Sequence, residues 1–282
     1  MPLRRAAVVP CLLLAACGGG TAAGGGSSSQ ASGSITLFAA ASLAKVMPEE
    51  ISSFEKAHPG ISVAGDYEGT QSLLTKLEAD GTLADVFVSA DSAHMATARS
   101  RSLVATPHEL ATNRLVIAVP PGNPGHIAGL ADLARGGVRL SIADRSVPAG
   151  SYAEQAFAVA ESNHDVPAGF ARAALANVAT RPTDVETVVA DVAAGVVDAG
   201  IVYATDARAD SRITAIPIAQ RDQPPTQYLV AATSQSRQAE AAALFVTFLL
   251  SAQGQSILAA AGFGGPAPTA QPLGGAPATP SP

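Results

Sequence analysis

The chain has 282 residues, 48% of them hydrophobic, which is enough for one large domain or for two lobes with separate cores. Its net charge is −6 and it has no basic cluster, which argues against nucleic acid as a partner. With few lysines (Lys45, Lys56 and Lys76) and no tryptophan, nothing suggests an aromatic-lined sugar cleft, and no apolar run beyond the N-terminus is long enough to span a bilayer.

In chain order, Arg4 and Arg5 precede a short apolar run, Ala6 to Ala16, the arrangement of an export signal. The run ends in "LAAC", Leu14 to Cys17, which resembles a bacterial lipoprotein processing site. Residues 1–16 are therefore expected to be removed and Cys17 to be acylated, tying the chain to the outer face of the cell membrane. An ordinary secretory signal with a chance cysteine is the alternative. Cys11 would leave with the signal, so no disulfide is expected in the mature chain. Residues 17–33 read as the lipidated cysteine and a flexible Gly/Ser tether, and 264–282 as a disordered Pro/Ala/Gly tail.

Between these ends, strand patterns fall at Ile35–Phe38, Ser62–Tyr67, Val86–Ser89, Leu115–Val119, Arg139–Ile142, Gly200–Tyr203, Ile213–Ile218 and Tyr228–Ala232. Helical patterns fall at Leu43–Ala57, Leu73–Ala79, Ser92–Ser100, Ser151–Ser162, Val166–Asn177, Val185–Ala194 and Arg237–Leu250. The alternation predicts an α/β fold built on parallel sheet, too long for one five-stranded unit, hence two lobes with a ligand between them. The first lobe is expected to take residues 34–119 and 223–263, and the second 120–222. The two most continuous apolar runs, Asn113–Pro120 and Gln227–Thr233, are expected to pair with each other beside the crossovers.

Four strand-to-helix junctions end in small or hydroxylated residues: those around Ser42, Thr70, Ala149–Ser151 and Val185. The last contains T-x-x-E, Thr183 to Glu186, the pattern of a capping box with Thr183 as N-cap. Each junction offers free backbone N–H groups at the positive end of a helix dipole, and several such ends converging would bind an anion with neutral donors alone. Each one singly reads better as a capped helix of any α/β protein, so their value depends on whether they converge.

The segments "LFAAASLAKVMPE", "ADVFVSAD" (Ala84–Asp91), "VPAGSYAEQA" (Val147–Ala156) and "AGIVYATDA" (Ala199–Ala207), in that order, resemble the bacterial molybdate-binding protein family. The likeness runs through nearly all of residues 35–263. It implies a two-lobed type II periplasmic solute-binding fold that captures molybdate, and tungstate, for an ABC permease and its ATPase. It also implies a monomer, no catalytic residues and no cofactor, with molybdenum held as an oxyanion rather than by cation ligands. Carried over by position, Ser42 gives hydroxyl and backbone donors and Thr70 a hydroxyl where the family usually has serine. Ala149 and Val185 give backbone N–H groups, and Tyr203 its phenol. Glu68 and Asp184 depart from the family pattern; both are expected to face solvent, and either one turned inward would repel a dianion or accept a proton from phosphate. The family's closure implies hinges near Val119 and Gln223.

An enzyme is the rival class. "SLAK", Ser42 to Lys45, has the S-x-x-K spacing of penicillin-interacting enzymes, but no lysine follows Lys76 to supply a K-T-G strand. "AGSYA" lacks the second glycine of a nucleophile elbow. The five histidines (His58, His94, His108, His126, His164) have no zinc-site spacing. A purely structural surface lipoprotein would not need four donor-bearing helix starts.

Overall fold

The computed structural model describes residues 32–79 and 84–266. The signal segment, Cys17 and most of both proposed tails lie outside these residues. Among the described residues, ten strands form two five-stranded sheets. The first contains β1 (Gly33–Ala40), β2 (Ile61–Glu68), β3 (Val86–Ser89), β4 (His108–Asn113) and β10 (Thr226–Ala232), in the order β2-β1-β3-β10-β4. The second contains β5 (Leu115–Val119), β6 (Leu140–Ser141), β7 (Val178–Thr180), β8 (Ala199–Tyr203) and β9 (Thr214–Pro217), in the order β7-β6-β8-β5-β9.

Both sheets follow one plan. Three strands are parallel, and the fourth runs against its neighbours on both sides (β10 between β3 and β4, β5 between β8 and β9). The reversed strand is in each case the one that has just crossed from the other sheet, which corrects the expectation of purely parallel sheets. It also corrects the proposed pairing: Leu115–Val119 pairs with β8 and β9, and Tyr228–Ala232 with β3 and β4. A run of consecutive apolar residues says that a strand is buried on both faces, not which sheet buries it. Because β5 sits in the second sheet, the first crossover falls at Asn113–Leu115, before the strand rather than after it.

The two crossovers lie side by side and are stitched together. The Leu115 N–H donates to Gln223 Oε1 (2.8 Å), Gln223 Nε2 donates back to the Leu115 carbonyl (2.9 Å), and the Thr226 hydroxyl donates to the Asn113 carbonyl. The Gln223 side-chain amide and the Thr226 hydroxyl therefore join the two crossovers, beside the end of the β4–β10 ladder.

Helices cover both faces of each sheet. The helices α1 (Met47–Ala57), α2 (Thr70–Ala79), α3 (Ser92–Ser100), α8 (Ala239–Leu250) and α9 (Ala252–Ala261) belong to the first lobe. Alternation along its strands sorts side chains to two layers. Ile35, Leu37, Val86, Val88 and Val230 pack with Met47, Phe54 and Phe245 on one side, while Phe38, Phe87 and Ala231 pack with Leu73, Leu77 and Met95 on the other. The second lobe carries α4 (Pro148–Ser162), α5 (Phe170–Ala176), α6 (Val185–Ala193) and α7 (Ala204–Ala209) around one continuous core that includes Ile117, Phe157, Val188 and Ile201. The first residue assigned to the C-terminal tail is instead anchored: Gly264 exchanges two backbone hydrogen bonds with Thr112, at 2.8 and 2.9 Å.

Candidate functional site

Strand β1 delivers three alanines, Ala39 to Ala41, and then Ser42 in a single turn of 3-10 helix. The small side chains keep the strand end slim, and all four residues are buried. Across the first lobe, β2 ends at Glu68 and α2 begins at Thr70. In the second lobe, Pro148 opens α4, where its missing N–H costs nothing, and the N–H groups that follow belong to Ala149 and Gly150. Gly150 is required here, because a Cβ would lie 2.2 Å from the carbonyl oxygens of Ala143 and Asp144.

These turns meet at one narrow cavity lined by residues of both lobes. Ser42, Thr70, Ala149, Val185 and Tyr203, the five positions singled out in the sequence, all line it. So do Ala40, Ala41, Gly69, Ala90, Val147 and Pro148, which sequence reasoning did not single out one by one. The lining therefore holds no ionisable carboxylate, lysine or arginine.

Its polar groups point to a single chemistry. The Tyr203 hydroxyl is fully buried and has no hydrogen-bond partner among the described residues. Burial, then the neighbouring Tyr228, Tyr152, Asp206 and Asp91, push its pKa well above the ordinary phenol value, so it is held as a neutral donor. The Thr70 oxygen accepts the Ala90 N–H at 3.2 Å, leaving its proton free for the cavity. First-turn N–H groups of α4 and α6 have no acceptor within their own helices and carry the positive ends of the dipoles.

The cap of α6 differs from the sequence expectation. Asp184, not Thr183, is the N-cap, its carboxylate accepting the Thr187 N–H (2.8 Å) and the Thr187 hydroxyl (3.1 Å). A carboxylate next to the helix start is the stronger acceptor, and the Thr183 carbonyl is turned across the cleft to Gln71 Nε2 at 2.7 Å. Val185 thus becomes the first helical residue. Glu68 is tied to Lys76 at 2.7 Å, with Asp66 on the same ammonium at 2.8 Å. Neither Glu68 nor Asp184 lines the cavity.

Two mixed sheets of this strand order, with a shared cavity of hydrogen-bond donors, define a type II solute-binding protein. The chain belongs to the bacterial extracellular solute-binding proteins, the family that matches residues 35–264, and within them to the molybdate-binding proteins. It is 33% identical over 239 residues to the molybdate-binding protein ModA of Mycobacterium tuberculosis, across 84% of this chain and 87% of that protein. Its fold is similar to the periplasmic molybdate-binding protein of Azotobacter vinelandii (TM-score 0.70, 17% identity, 83% of this chain and 100% of that one). It is equally similar to the sulfate-binding protein SubI of M. tuberculosis (TM-score 0.70, 22% identity, 82% of this chain and 86% of that one). At those identities the two structures speak for the fold alone. These relatives are solute-binding proteins rather than enzymes.

Proposed function

We propose that this chain is the lipid-anchored receptor of an ABC importer, capturing molybdate, and tungstate with it, between its lobes and presenting it to a membrane permease driven by an ATPase. The observation that carries the reading is the buried Tyr203 hydroxyl, without a partner among the described residues, in a cavity whose other polar groups are the hydroxyls of Ser42 and Thr70 and helix-start N–H groups. A fully deprotonated dianion satisfies donors of this kind without needing an acceptor or a full countercharge. The 33% identity to a molybdate-binding protein supports molybdate over other anions. Ser42, Thr70, Ala149, Val185 and Tyr203 are the proposed ligand contacts, Cys17 the proposed lipid site, and the Asn113–Leu115 and Gln223–Thr226 crossovers the proposed hinge. Closure is favoured by ligand because only the closed form brings both lobes' donors to one anion.

A sulfate receptor is the second reading, since sulfate is also a tetrahedral dianion and the donor set would serve it. Phosphate is disfavoured because it keeps a proton near neutral pH, and no carboxylate lines the cavity to accept it. Isothermal titration of the purified protein with molybdate, tungstate, sulfate and phosphate separates these readings. Tight one-to-one binding of molybdate and tungstate with sulfate far weaker is expected. Preference for sulfate would move the assignment to the second reading, and no binding of any of the four would overturn both. In the same assay Ser42→Ala is expected to lose about 1.5–3 kcal/mol, the range for a hydrogen bond to a charged group. Unchanged affinity would remove Ser42 from the site.

A further inference from the structure

Next to Ser42, among residues that do not line the cavity, lies a chain of polar groups whose directions can be worked out. The Arg114 N–H donates to Asn113 Oδ1 at 2.8 Å. This fixes which end of the amide is which, so Asn113 Nδ2 faces the Thr205 hydroxyl (2.9 Å) and the Tyr228 hydroxyl (3.5 Å). Tyr228 is fully buried near the start of the first lobe's reversed strand, and its oxygen lies 2.8 Å from Ser42 Oγ. Either oxygen of that pair could donate when it is considered alone. With a donor-only amide nitrogen already facing Tyr228, the phenol proton has one remaining hydrogen-bond neighbour, Ser42.

We infer that Tyr228, oriented by Asn113, is a positioning residue that locks Ser42 as a donor toward the cavity. Tyr228 gives its proton to Ser42 Oγ, so the serine proton is released toward the bound anion. The polarity matches that at Thr70, whose oxygen is occupied from behind by the Ala90 N–H. Both hydroxyls of the first lobe are thereby arranged to give protons rather than take them. That arrangement selects anions that carry no proton of their own, independently of cavity size. The inference rests on the oxyanion reading given above and adds a source of discrimination against protonated anions. The relay also joins the lobes, because Asn113 ends β4 of the first and Thr205 lies on α7 of the second.

The test is a double-mutant cycle on the purified protein, read by titration with molybdate. Tyr228→Phe keeps the ring contacts with Tyr203 (5.9 Å between centroids) and Phe263 (5.4 Å), so the fold is expected to persist; thermal melting of the unliganded variants checks this. In the wild-type background Tyr228→Phe is expected to weaken binding about five- to twentyfold. In the Ser42→Ala background the same change is expected to alter affinity less than about twofold, because its route to the ligand is gone. Asn113→Ala is expected to follow the same pattern more weakly. Equal losses in both backgrounds, or full affinity in Tyr228→Phe, would overturn the relay while leaving the receptor intact. A wild-type protein silent toward molybdate, tungstate, sulfate and phosphate would overturn the oxyanion reading itself, and the relay with it.

Discussion

Gly69→Ala is expected to lower molybdate affinity about a hundredfold while leaving the melting temperature of the unliganded protein within about 2 °C. Gly69 links β2 to α2 and faces the other lobe across the cavity. A Cβ placed there would sit 2.4 Å from the Thr183 carbonyl oxygen and 2.5–2.6 Å from the Gln71 amide group. The glutamine can swing aside, but the carbonyl belongs to the backbone of the opposing lobe, just before α6. It is also held by Gln71 Nε2 at 2.7 Å, so this is a point where the lobes touch. A methyl group would keep them apart by several tenths of an ångström, drawing the α6 N–H groups back from a ligand at the proposed contacts Ser42 and Thr70. Hydrogen bonds weaken steeply with such lengthening, and two lost charge-assisted donors account for about 3 kcal/mol. Were the lobes to part in the unliganded protein, the methyl group would be accommodated, which is why stability should be spared. The comparison is Gly129→Ala, where an added methyl meets nothing within 4 Å and both readouts should hold. Undiminished affinity in Gly69→Ala would mean that ligand binding does not require this contact.

What could be read from the sequence and what could not divides along contact range. β3 and β5 lie where the sequence places them, Val86–Ser89 and Leu115–Val119, because each is a run of apolar residues buried on both faces. Helix α3, Ser92–Ser100, also matches, capped by Asp91. β4 escaped notice because "HELATN" has polar ends and only Leu110 and Ala111 deeply buried. β7 is three residues long, and α9, rich in alanine and glutamine, has no clear apolar period. The five candidate site positions were legible as strand-to-helix junctions and by family resemblance, since each is a local feature of the chain. Gly69 and Gln71 were not, because their partner Thr183 lies 112 residues from Gln71. Nor was Tyr228, 186 residues from Ser42, whose sequence context is that of an ordinary buried strand. The α6 cap was misplaced by one residue for a different reason. Thr183 and Asp184 are both good caps, and the choice depended on the demand of Gln71 for the Thr183 carbonyl.

Removing the buried acid of α1 is expected to stabilise the protein, increasingly so as pH rises. Glu50 is fully buried beneath α1, beside Met47 and Phe54, and neither carboxyl oxygen has a hydrogen-bond partner among the described residues. Burial, reinforced by the charge of Glu49, pushes its pKa from 4.5 up to about 8. The folded chain therefore holds a proton that the unfolded chain has released throughout the interval between those values. Stability is unaffected by this group below about pH 4.5, falls as pH rises toward about 8, and then levels off. The full interval corresponds to a ceiling of about 5 kcal/mol, and local relaxation will reduce it. Glu50→Leu removes both the titration and the orphaned polar group, so a gain of about 2–4 kcal/mol is expected at pH 8. That is on the order of 5–10 °C in melting temperature for a chain of this size. Glu50→Gln should flatten the pH dependence while gaining less, because its amide remains buried without a partner. Melting curves of the three proteins from pH 5 to pH 9 decide the matter. A gain in Glu50→Leu that does not change with pH would show that Glu50 titrates normally, and a wild type more stable than Glu50→Leu at pH 8 would show that its carboxylate is compensated. Neither result would touch the proposed oxyanion site, because Glu50 is not among the residues lining that cavity.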